Sequence, residues 1–236
     1  MVMTASSANR LSVDALVFDA YGTLFDVYSV ETTAESFFPG RGTDLSRVWR
    51  AKQLEYTWLQ SLMQSASQGR EDFAALTAHA LDYACAALRL ASTAQIRHRL
   101  LDAYLDLAPF PDALATLPGL APLPRIILSN GTREMLEPLA AATGVAQHMD
   151  AIISVEAAGT YKPSPRVYQL AVDHLQLLPL RIGFVSSNAW DAIGAKAFGL
   201  TSIWVNRTGV PIDRHGPAPD AMIESLTELP RLLANA

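Results

Sequence analysis

Five short apolar segments recur along the chain, and each is bounded by polar residues, glycine or proline. They are Leu16–Phe18, Arg125–Leu128, Ala151–Val155, Arg181–Val185 and Ser202–Val205. Continuous apolar runs of this length, rich in β-branched and aliphatic residues, are typical of parallel strands buried on both faces. The chain is therefore constrained to a sheet that lies inside the molecule, with other elements covering both of its faces.

Helices are predicted between the later strands, where start and stop signals mark their ends. Gly144 and Gly199 follow two of them, and the pair Ser164-Pro165 opens a third. The predicted helices are Thr132–Thr143, Arg166–Leu177 and Ala189–Phe198, the last of them capped by Ser187 or Asn188. Alternating strands and helices predict an α/β fold with a Rossmann-like parallel sheet core and helices on both faces.

The segment between the first two strands does not continue this alternation of strands and helices, because residues 27–107 contain no convincing strand. Three helices are predicted there, and the first carries an apolar stripe at helical spacing. They are Ser46–Gln64, Phe73–Leu90 and Thr93–Leu107, with a polar break at Ser65–Arg70. The simplest arrangement is a core domain of residues 1–26 and 108–236, with residues 27–107 inserted as a helical cap subdomain. Such a cap can cover a site at the strand ends and exclude water.

Composition and charge argue against several classes of function. The 236 residues carry a net charge of −5 without a basic stripe, so nucleic-acid binding is not expected. No apolar run approaches the roughly 18 residues that span a bilayer, and the first ten residues lack the apolar segment of a secretory signal. Cys85 is the only cysteine, which excludes an intrachain disulfide, and its apolar neighbours predict an inert core position. We therefore expect a cytoplasmic protein that does not contact the membrane.

Polar residues stand where the predicted strands end. Asp19 follows the first strand, and the pair Ser129 and Asn130 follows the second. The segment 186–191 follows the fourth strand, and Lys162 precedes a helix. Because the carboxyl ends of parallel strands face one crevice, these separated residues are expected to meet there. Each of them alone is more often a cap or turn residue, so their joint pattern carries the indication of chemistry.

Sequence motifs at these positions identify a family. The motifs are Phe18–Asp26, Trp49–Leu59, Leu128–Gly131, Tyr161–Tyr168 and Phe184–Ala192. With them, nearly the whole chain resembles the haloacid dehalogenase superfamily. The last four motifs separate the L-2-haloacid dehalogenase family from the wider superfamily, so the resemblance is specific. It implies an enzyme that converts a small 2-haloacid substrate into a halide ion and a D-2-hydroxy acid.

The resemblance implies that Asp19 is a nucleophile. Its carboxylate would attack the α-carbon of an L-2-haloalkanoate and displace the halide with inversion, and water would hydrolyse the resulting ester at the aspartyl carbonyl. Lys162 would keep Asp19 ionised, while enclosure beneath the cap would remove the hydration shell of the carboxylate.

The resemblance also implies a set of supporting catalytic residues. Thr23 and Ser186 would orient the nucleophile by hydrogen bonds, and Asn188 would support the hydrolysis step. Asp191 would position the active-site lysine or prepare the hydrolytic water. The family carries a functional tyrosine at the position of Tyr168.

Binding residues for halide and substrate follow from the same resemblance. Arg50 is implied as the halide acceptor, because a guanidinium stabilises a leaving anion through several donors. Asn130 completes the halide cradle, and Phe73 is its candidate aromatic residue, with an ordinary core position as the alternative. Ser129 and Asn130, with adjoining backbone N–H groups, would bind the substrate carboxylate. The apolar wall around the alkyl group would consist of Tyr21, Leu54 and Trp190.

Two positions separate this chemistry from that of related phosphatases. Phosphate-monoester hydrolases of the superfamily carry a second acid two residues after the nucleophile to protonate the leaving oxygen, and here that residue is Tyr21. Metal-dependent relatives place more acid where this chain has Ser186, so no metal and no other cofactor is expected. A Mg²⁺-dependent phosphate-monoester hydrolase is the alternative enzyme, and a capped binding protein without activity is a third possibility. The family often forms homodimers, so a homodimer is expected, although the apolar cap residues also fit a private core.

Overall fold

The computed structural model describes residues 10–63 and 70–233 of the chain. Within those residues, six strands form one parallel sheet in the order β3-β2-β1-β4-β5-β6. The strands are β1 Ala15–Phe18, β2 Arg125–Ser129, β3 Ala151–Ser154, β4 Ile182–Ser186, β5 Thr201–Val205 and β6 Ala221–Ile223. The Rossmann-like α/β class predicted from the sequence is confirmed.

The five predicted strands are all present, and their ends differ from the predicted ones by at most one residue. The sixth strand, β6, was not predicted. It has three residues, pairs only with β5 at the edge of the sheet, and follows a loop rich in proline and charge. A segment this short has too few residues to produce a recognisable apolar pattern.

The order of the strands reverses beside β1, which pairs with β2 on one side and with β4 on the other. The chain therefore winds outward in both directions from the centre of the sheet, and right-handed crossovers place its helices on opposite faces. In open α/β sheets, ligands bind outside the carboxyl ends of the strands at such a reversal. Asp19 follows β1 directly and Ser186 ends β4, so both lie at this point.

Helices fill the connections between strands. They are α1 Val30–Phe37, α2 Gly42–Leu62, α3 Phe73–Ala87, α4 Ala94–Leu105, α5 Pro111–Thr116, α6 Arg133–Ala142, α7 Pro165–Leu175, α8 Ala189–Phe198 and α9 Leu229–Leu232. Short 3₁₀ turns lie at Leu117–Leu120, Ala146–His148, Val155–Ala158, Pro179–Arg181 and Leu226–Glu228. The predicted bounds of α8 match those observed, and Gly199 ends it in the left-handed conformation at φ 113°.

Two helices near the ends of the insert, α1 and α5, were not predicted. Helix α1 buries only Val30 and Ala34, so its sequence lacks a continuous apolar stripe. Helix α5 has six residues and begins at Pro111. The predicted break at 65–70 lies outside the described residues except for Arg70, and the predicted absence of a signal in residues 1–10 lies outside them except for Arg10.

Helices α1 to α4 lie between β1 and β2 in the chain, and the segments that enter and leave this insert run side by side. The N–H of Asp26 donates to the carbonyl oxygen of Ala108 at 2.8 Å, and the N–H of Phe110 donates to that of Leu24 at 2.8 Å. These pairings support the proposal that the cap subdomain begins at residue 27 and ends at residue 107. Cys85 is buried on α3, as predicted. None of the helices in the described part of the chain is long and apolar enough to cross a membrane.

Candidate active site

Asp19 lies at the carboxyl end of β1 with 5% of its surface exposed. Its oxygen Oδ2 accepts hydrogen bonds from Asn188 Nδ2 at 2.7 Å, Thr23 Oγ1 at 2.9 Å and Ser186 Oγ at 3.4 Å. Among the residues that the structure describes, the other oxygen, Oδ1, accepts only from Lys162 Nζ, at 3.0 Å. Three donors occupy Oδ2, whereas Oδ1 keeps a lone pair available for another atom.

The donors around Asp19 are themselves held in place. The backbone N–H of Ser187 donates to Thr23 Oγ1 at 2.8 Å, so the hydroxyl proton of Thr23 is free to point at Asp19. Asn188 was predicted as a possible cap of α8, and it is the N-cap residue, but its side chain makes no capping bond. Its Nδ2 donates instead to Asp19 and to the carbonyl oxygen of Tyr21 at 3.0 Å, because the buried carboxylate is the stronger acceptor.

Lys162 lies between two carboxylates and is 1% exposed. Its ammonium nitrogen is 3.0 Å from Asp19 Oδ1 and 2.8 Å from Asp191 Oδ2. Burial alone would lower the pKa of Lys162, but the two carboxylates outweigh it and raise that pKa above its usual value. The backbone N–H of Lys162 also donates to Asn130 Oδ1 at 3.1 Å, which fixes this loop to the end of β2. The lysine is therefore a permanent cation beside the candidate nucleophile.

Asp191 is fully buried in the first turn of α8. Its Oδ1 accepts from the hydroxyl of Tyr168 at 2.7 Å, while its Oδ2 faces Lys162. Burial raises the pKa of Asp191 to about 6, and the nearby Lys162 lowers it only in part. Burial also raises the pKa of Tyr168 far above its usual value, so the phenol stays protonated and acts as a donor. Asp191 thus combines a pKa near neutrality with a fixed orientation, as a general base requires.

The charges around Asp19 favour an ammonium ion over a metal ion. Within the described ranges, no group of three or more His, Cys, Asp and Glu side chains is placed to hold a metal. The two carboxylates that approach each other, those of Asp19 and Asp191, already share the ammonium of Lys162. A divalent cation would have to displace that buried positive charge.

Arg50 is a buried cation on α2 without a carboxylate partner among the residues that the structure describes. Its Nη1 donates to Gln53 Oε1 at 2.7 Å and to the hydroxyl of Tyr104 at 3.4 Å, and its Nη2 donates to the carbonyl oxygen of Tyr21 at 3.3 Å. The ion pairs found in the described part of the chain do not include Arg50. A buried charge with only neutral acceptors is costly, so the site favours binding of an anion. Asn188 contacts the same carbonyl oxygen and Asp19, which links this cation to the candidate nucleophile.

The rings of Tyr21 and Phe73 pack against each other, and that of Tyr21 also lies beside Gly131, two residues after the end of β2. Phe73 is the first residue of α3, is 1% exposed, and its ring centroid is 5.5 Å from that of Tyr21. The buried hydroxyl of Tyr21 has no hydrogen-bond partner within the part of the chain that the structure describes. Burial raises the pKa of this phenol far above its usual value, so it remains a donor. Ser129, the last residue of β2, is fully buried, and its Oγ accepts from the N–H of Gly131 at 3.2 Å.

Two of the residues predicted to form one apolar wall, Leu54 and Trp190, line two different cavities. Leu54 lies with Arg50 and Asn188 in a cavity of about 480 Å³. Trp190 lines a separate, larger cavity of about 720 Å³, and its ring meets that of Trp58 edge to face at a centroid distance of 5.5 Å. The smaller cavity therefore reaches the candidate anion site, while the larger one lies beside the loop that carries Lys162, which includes Tyr161 and Pro163.

Three residues that contribute to this site were not predicted from the sequence. Gln53 and Tyr104 contact Arg50 from α2 and α4. Arg207 donates to the carbonyl oxygen of Thr23 at 2.9 Å and to Ser187 Oγ at 2.6 Å, and it forms a bidentate ion pair with Asp112. Gln53 lies one turn after Arg50 on the same helix, which is a usable signal. The other two are far from the motifs in the chain and carry no local signal.

The absence of a side chain at Gly131 is predicted to be necessary for the position of Tyr21. A Cβ atom there would lie 2.8 Å from Tyr21 Cε2 and 3.0 Å from Leu136 Cγ. We expect Gly131→Ala to lower the free energy of unfolding by about 1–3 kcal/mol, because a crowded core must shift to admit a methyl group. Urea unfolding measures this. The control is Gly119→Ala, where a Cβ atom meets nothing within 4 Å, and equal stability of the two variants would contradict the prediction.

Comparisons with known proteins agree with this geometry. A family model described as haloacid dehalogenase-like hydrolase matches residues 13–199. The (S)-2-haloacid dehalogenase H-109 of Pseudomonas putida is 44% identical over 220 residues, which cover 92% of this chain and 96% of that protein. The crystal structure of the L-2-haloacid dehalogenase RSc1362 superposes with a TM-score of 0.91 at 41% identity, covering 94% of this chain and 99% of that one.

A second solved structure was obtained with a covalently bound molecule. It is the L-2-haloacid dehalogenase from Xanthobacter autotrophicus with chloropropionic acid covalently bound, which superposes with a TM-score of 0.85 at 40% identity and covers 93% of this chain and 98% of that one. Identity of this size over almost the full length of each chain is evidence of common family membership. The chain belongs to the haloacid dehalogenase-like hydrolases and, among them, to the L-2-haloacid dehalogenase family.

Proposed function

We propose that this protein hydrolyses L-2-haloalkanoic acids to D-2-hydroxy acids and halide through an ester of Asp19. The main support is the bonding of Asp19 within the described residues: its Oδ2 accepts from three donors, whereas its Oδ1 accepts only from Lys162, which leaves Oδ1 a lone pair for another atom. A carboxylate held in this way has one oxygen fixed and the other available to attack. The names of the similar proteins, and the covalent chloropropionic acid complex of one of them, support the same reaction.

In the first step, Asp19 Oδ1 attacks the α-carbon of the substrate as the carbon–halogen bond breaks. The bonding pair leaves with the halide, which Arg50 receives, and the carbon inverts. Ser129, Asn130 and the backbone N–H groups beside them bind the substrate carboxylate in this proposal. A halide leaves as a stable anion without a proton, so Tyr21 can replace the second acid that a phosphatase needs.

In the second step, water adds to the carbonyl carbon of the Asp19 ester. The negative charge that develops on Oδ2 meets the three donors of Thr23, Ser186 and Asn188, which act as an oxyanion hole. Asp191 accepts the proton of the water, and Tyr168 holds its carboxylate in place. As the bond between the carbonyl carbon and Oδ1 breaks, Asp191 returns its proton to Oδ1, and the hydroxy acid leaves with that oxygen. The water oxygen remains in Asp19, whose carboxyl group loses its last proton to solvent.

The proposal also includes the apolar residues that the sequence predicts around the substrate, and the predicted oligomeric state and location of the protein. Phe73 packs on the ring of Tyr21 at the halide side, and Leu54 lines the cavity that reaches Arg50. Trp190 shapes the wall toward the larger cavity, which adjoins the loop of Lys162. A homodimer located in the cytoplasm belongs to the same proposal.

Chloride release separates this function from that of a Mg²⁺-dependent phosphatase. We expect chloride from L-2-chloropropionate and none from the D enantiomer, with equal rates in the presence and absence of EDTA. The reason is that Lys162, and not a metal ion, supplies the positive charge between Asp19 and Asp191. A phosphate ester hydrolysed only with Mg²⁺, without chloride release from either enantiomer, would contradict the proposal.

The pH dependence of kcat is predicted to follow Asp191, because Asp191 acts in the hydrolysis of the ester, after the halide has left. Its pKa is raised to about 6, so it is a carboxylate above that pH and a protonated acid below it. Because only the carboxylate can accept a proton from water, we expect kcat to be constant above about pH 7 and to fall tenfold per pH unit below about 6, where hydrolysis of the ester limits turnover. Steady-state chloride release at saturating substrate across this range measures kcat. A profile that stays flat well below pH 6 would rule out this role for Asp191.

A further inference from the structure

We propose that Gln53 and Tyr104 are positioning residues, which aim the guanidinium of Arg50 at the leaving halide without neutralising its charge. The inference rests on the proposed function, since it concerns the halide acceptor of that reaction. Both residues belong to the cap helices and are buried, Gln53 at 0% and Tyr104 at 2% exposure. Within the described residues neither has a hydrogen bond to Asp19, whereas both accept from Arg50. The ring of Tyr104 also packs on that of Tyr21 at a centroid distance of 5.6 Å, and Tyr104→Phe keeps this contact.

A closed set of hydrogen bonds joins these groups. Gln53 Oε1 accepts from Arg50 Nη1 at 2.7 Å and from the hydroxyl of Tyr104 at 2.9 Å. The same hydroxyl accepts a longer bond from Arg50 Nη1 at 3.4 Å. The guanidinium is thus held from two helices, α2 and α4, and its Nη2 turns toward the carbonyl oxygen of Tyr21.

The orientation of the Gln53 amide follows from its other partner. Thr77 Oγ1 donates to the carbonyl oxygen of Phe73 at 2.6 Å, so it has no proton left to give and must accept from Gln53. The amide nitrogen Nε2 is therefore the atom that lies 2.6 Å from Thr77, and Oε1 is the atom that faces Arg50. The backbone of Thr77 is held as well, since the indole nitrogen Nε1 of Trp49 donates to its carbonyl oxygen at 2.8 Å.

The two side chains that accept hydrogen bonds from Arg50, those of Gln53 and Tyr104, are both uncharged. Burial raises the pKa of Tyr104 above its usual value, so its phenol carries no charge. A carboxylate in place of the amide of Gln53 would form a close ion pair with Arg50 and compete with the halide for it. Two neutral acceptors supply direction for the guanidinium while its full positive charge stays available to an incoming anion.

The test compares kcat/KM for L-2-chloropropionate and L-2-bromopropionate in Gln53→Glu and Tyr104→Phe. We expect Gln53→Glu to lower kcat/KM for the chloro substrate by about 10²-fold, the loss typical for one stabilising donor. The loss should be smaller for the bromo substrate, because chloride is the smaller anion and interacts more strongly with a guanidinium. Tyr104→Phe should lower kcat/KM by less than tenfold, and again by more for the chloro than for the bromo substrate. Inhibition by free bromide should weaken in parallel in Gln53→Glu.

The control is Gln60→Glu, which makes the same charge change farther along α2 and should leave kcat/KM unchanged. An equal loss for both halides, or no loss, would overturn the proposal, since a merely structural role cannot change the ratio of the two substrates. If Gln53→Glu fails to fold, the ratio in Tyr104→Phe decides in the same way. A wild-type protein that releases no halide would refute the proposed function itself. An active wild type whose variants lose kcat/KM equally for both substrates would refute only this inference.

Discussion

Replacement of Asp19 by asparagine is expected to reduce halide release from L-2-chloropropionate by about 10³-fold or more. The variant loses the anionic oxygen that attacks carbon, and an amide nitrogen facing Lys162 Nζ would place two donors 3.0 Å apart. The donors around Oδ2 stay in place, so binding of the substrate should be affected far less than its reaction. Single-turnover chloride release measures the chemical step directly.

The control for this variant is Asp14→Asn, at the opposite end of the same strand. Asp14 forms a partly exposed ion pair with Arg181 and has no contact with Asp19, so its loss should leave the rate unchanged. Comparable rates in the wild type and in Asp19→Asn would contradict the assignment of Asp19 as the nucleophile. Circular dichroism of both variants separates a lost reaction from a lost fold.

Lys162→Met is expected to remove activity and stability together. Without the ammonium, the carboxylates of Asp19 and Asp191 would face each other in a buried site with no cation between them. Breaking a buried ion pair by removing one partner costs about 3–5 kcal/mol, and the repulsion raises the pKa of the remaining acids. Urea unfolding and chloride release at neutral pH measure the two losses.

A second substitution distinguishes the two effects. Adding Asp191→Asn to Lys162→Met removes the repulsion, so stability should recover in part while activity stays lost. Lys196→Met is the control, because its ion pair with Asp220 is partly exposed and should contribute less than about 1 kcal/mol. Wild-type activity in Lys162→Met would contradict the catalytic role of Lys162. Wild-type stability would contradict the expectation that its buried ion pairs with Asp19 and Asp191 stabilise the fold.

The sequence predicts the fold and the groups around Asp19 because both depend on local pattern. Buried parallel strands are continuous apolar runs, and the polar residues that follow them must meet at one edge of the sheet. This places Asp19 beside Ser186 and Asn188, although 167 and 169 positions separate them in the chain. Lys162 completes the group from a loop that the family resemblance identifies.

Other parts of the structure depend on packing that no local pattern encodes. Tyr104 reaches Gln53 across 51 positions, and Arg207 reaches Thr23 across 184, so neither contact follows from spacing along one element. The separation of Leu54 and Trp190 into two cavities likewise depends on how helix α2 packs beside helix α8 and the loop of Lys162. The short elements α1, α5 and β6 have too few buried residues for a recognisable period.

Isotope labelling shows whether Asp19 or a water molecule attacks the α-carbon of the substrate. Enzyme in excess over L-2-chloropropionate is allowed one turnover in H₂¹⁸O, and the product and the peptide containing Asp19 are then analysed by mass spectrometry. An ester intermediate predicts an unlabelled hydroxy acid and one ¹⁸O atom in Asp19. A labelled hydroxy acid with unlabelled Asp19 would mean that water attacks the carbon itself, and would contradict the mechanism.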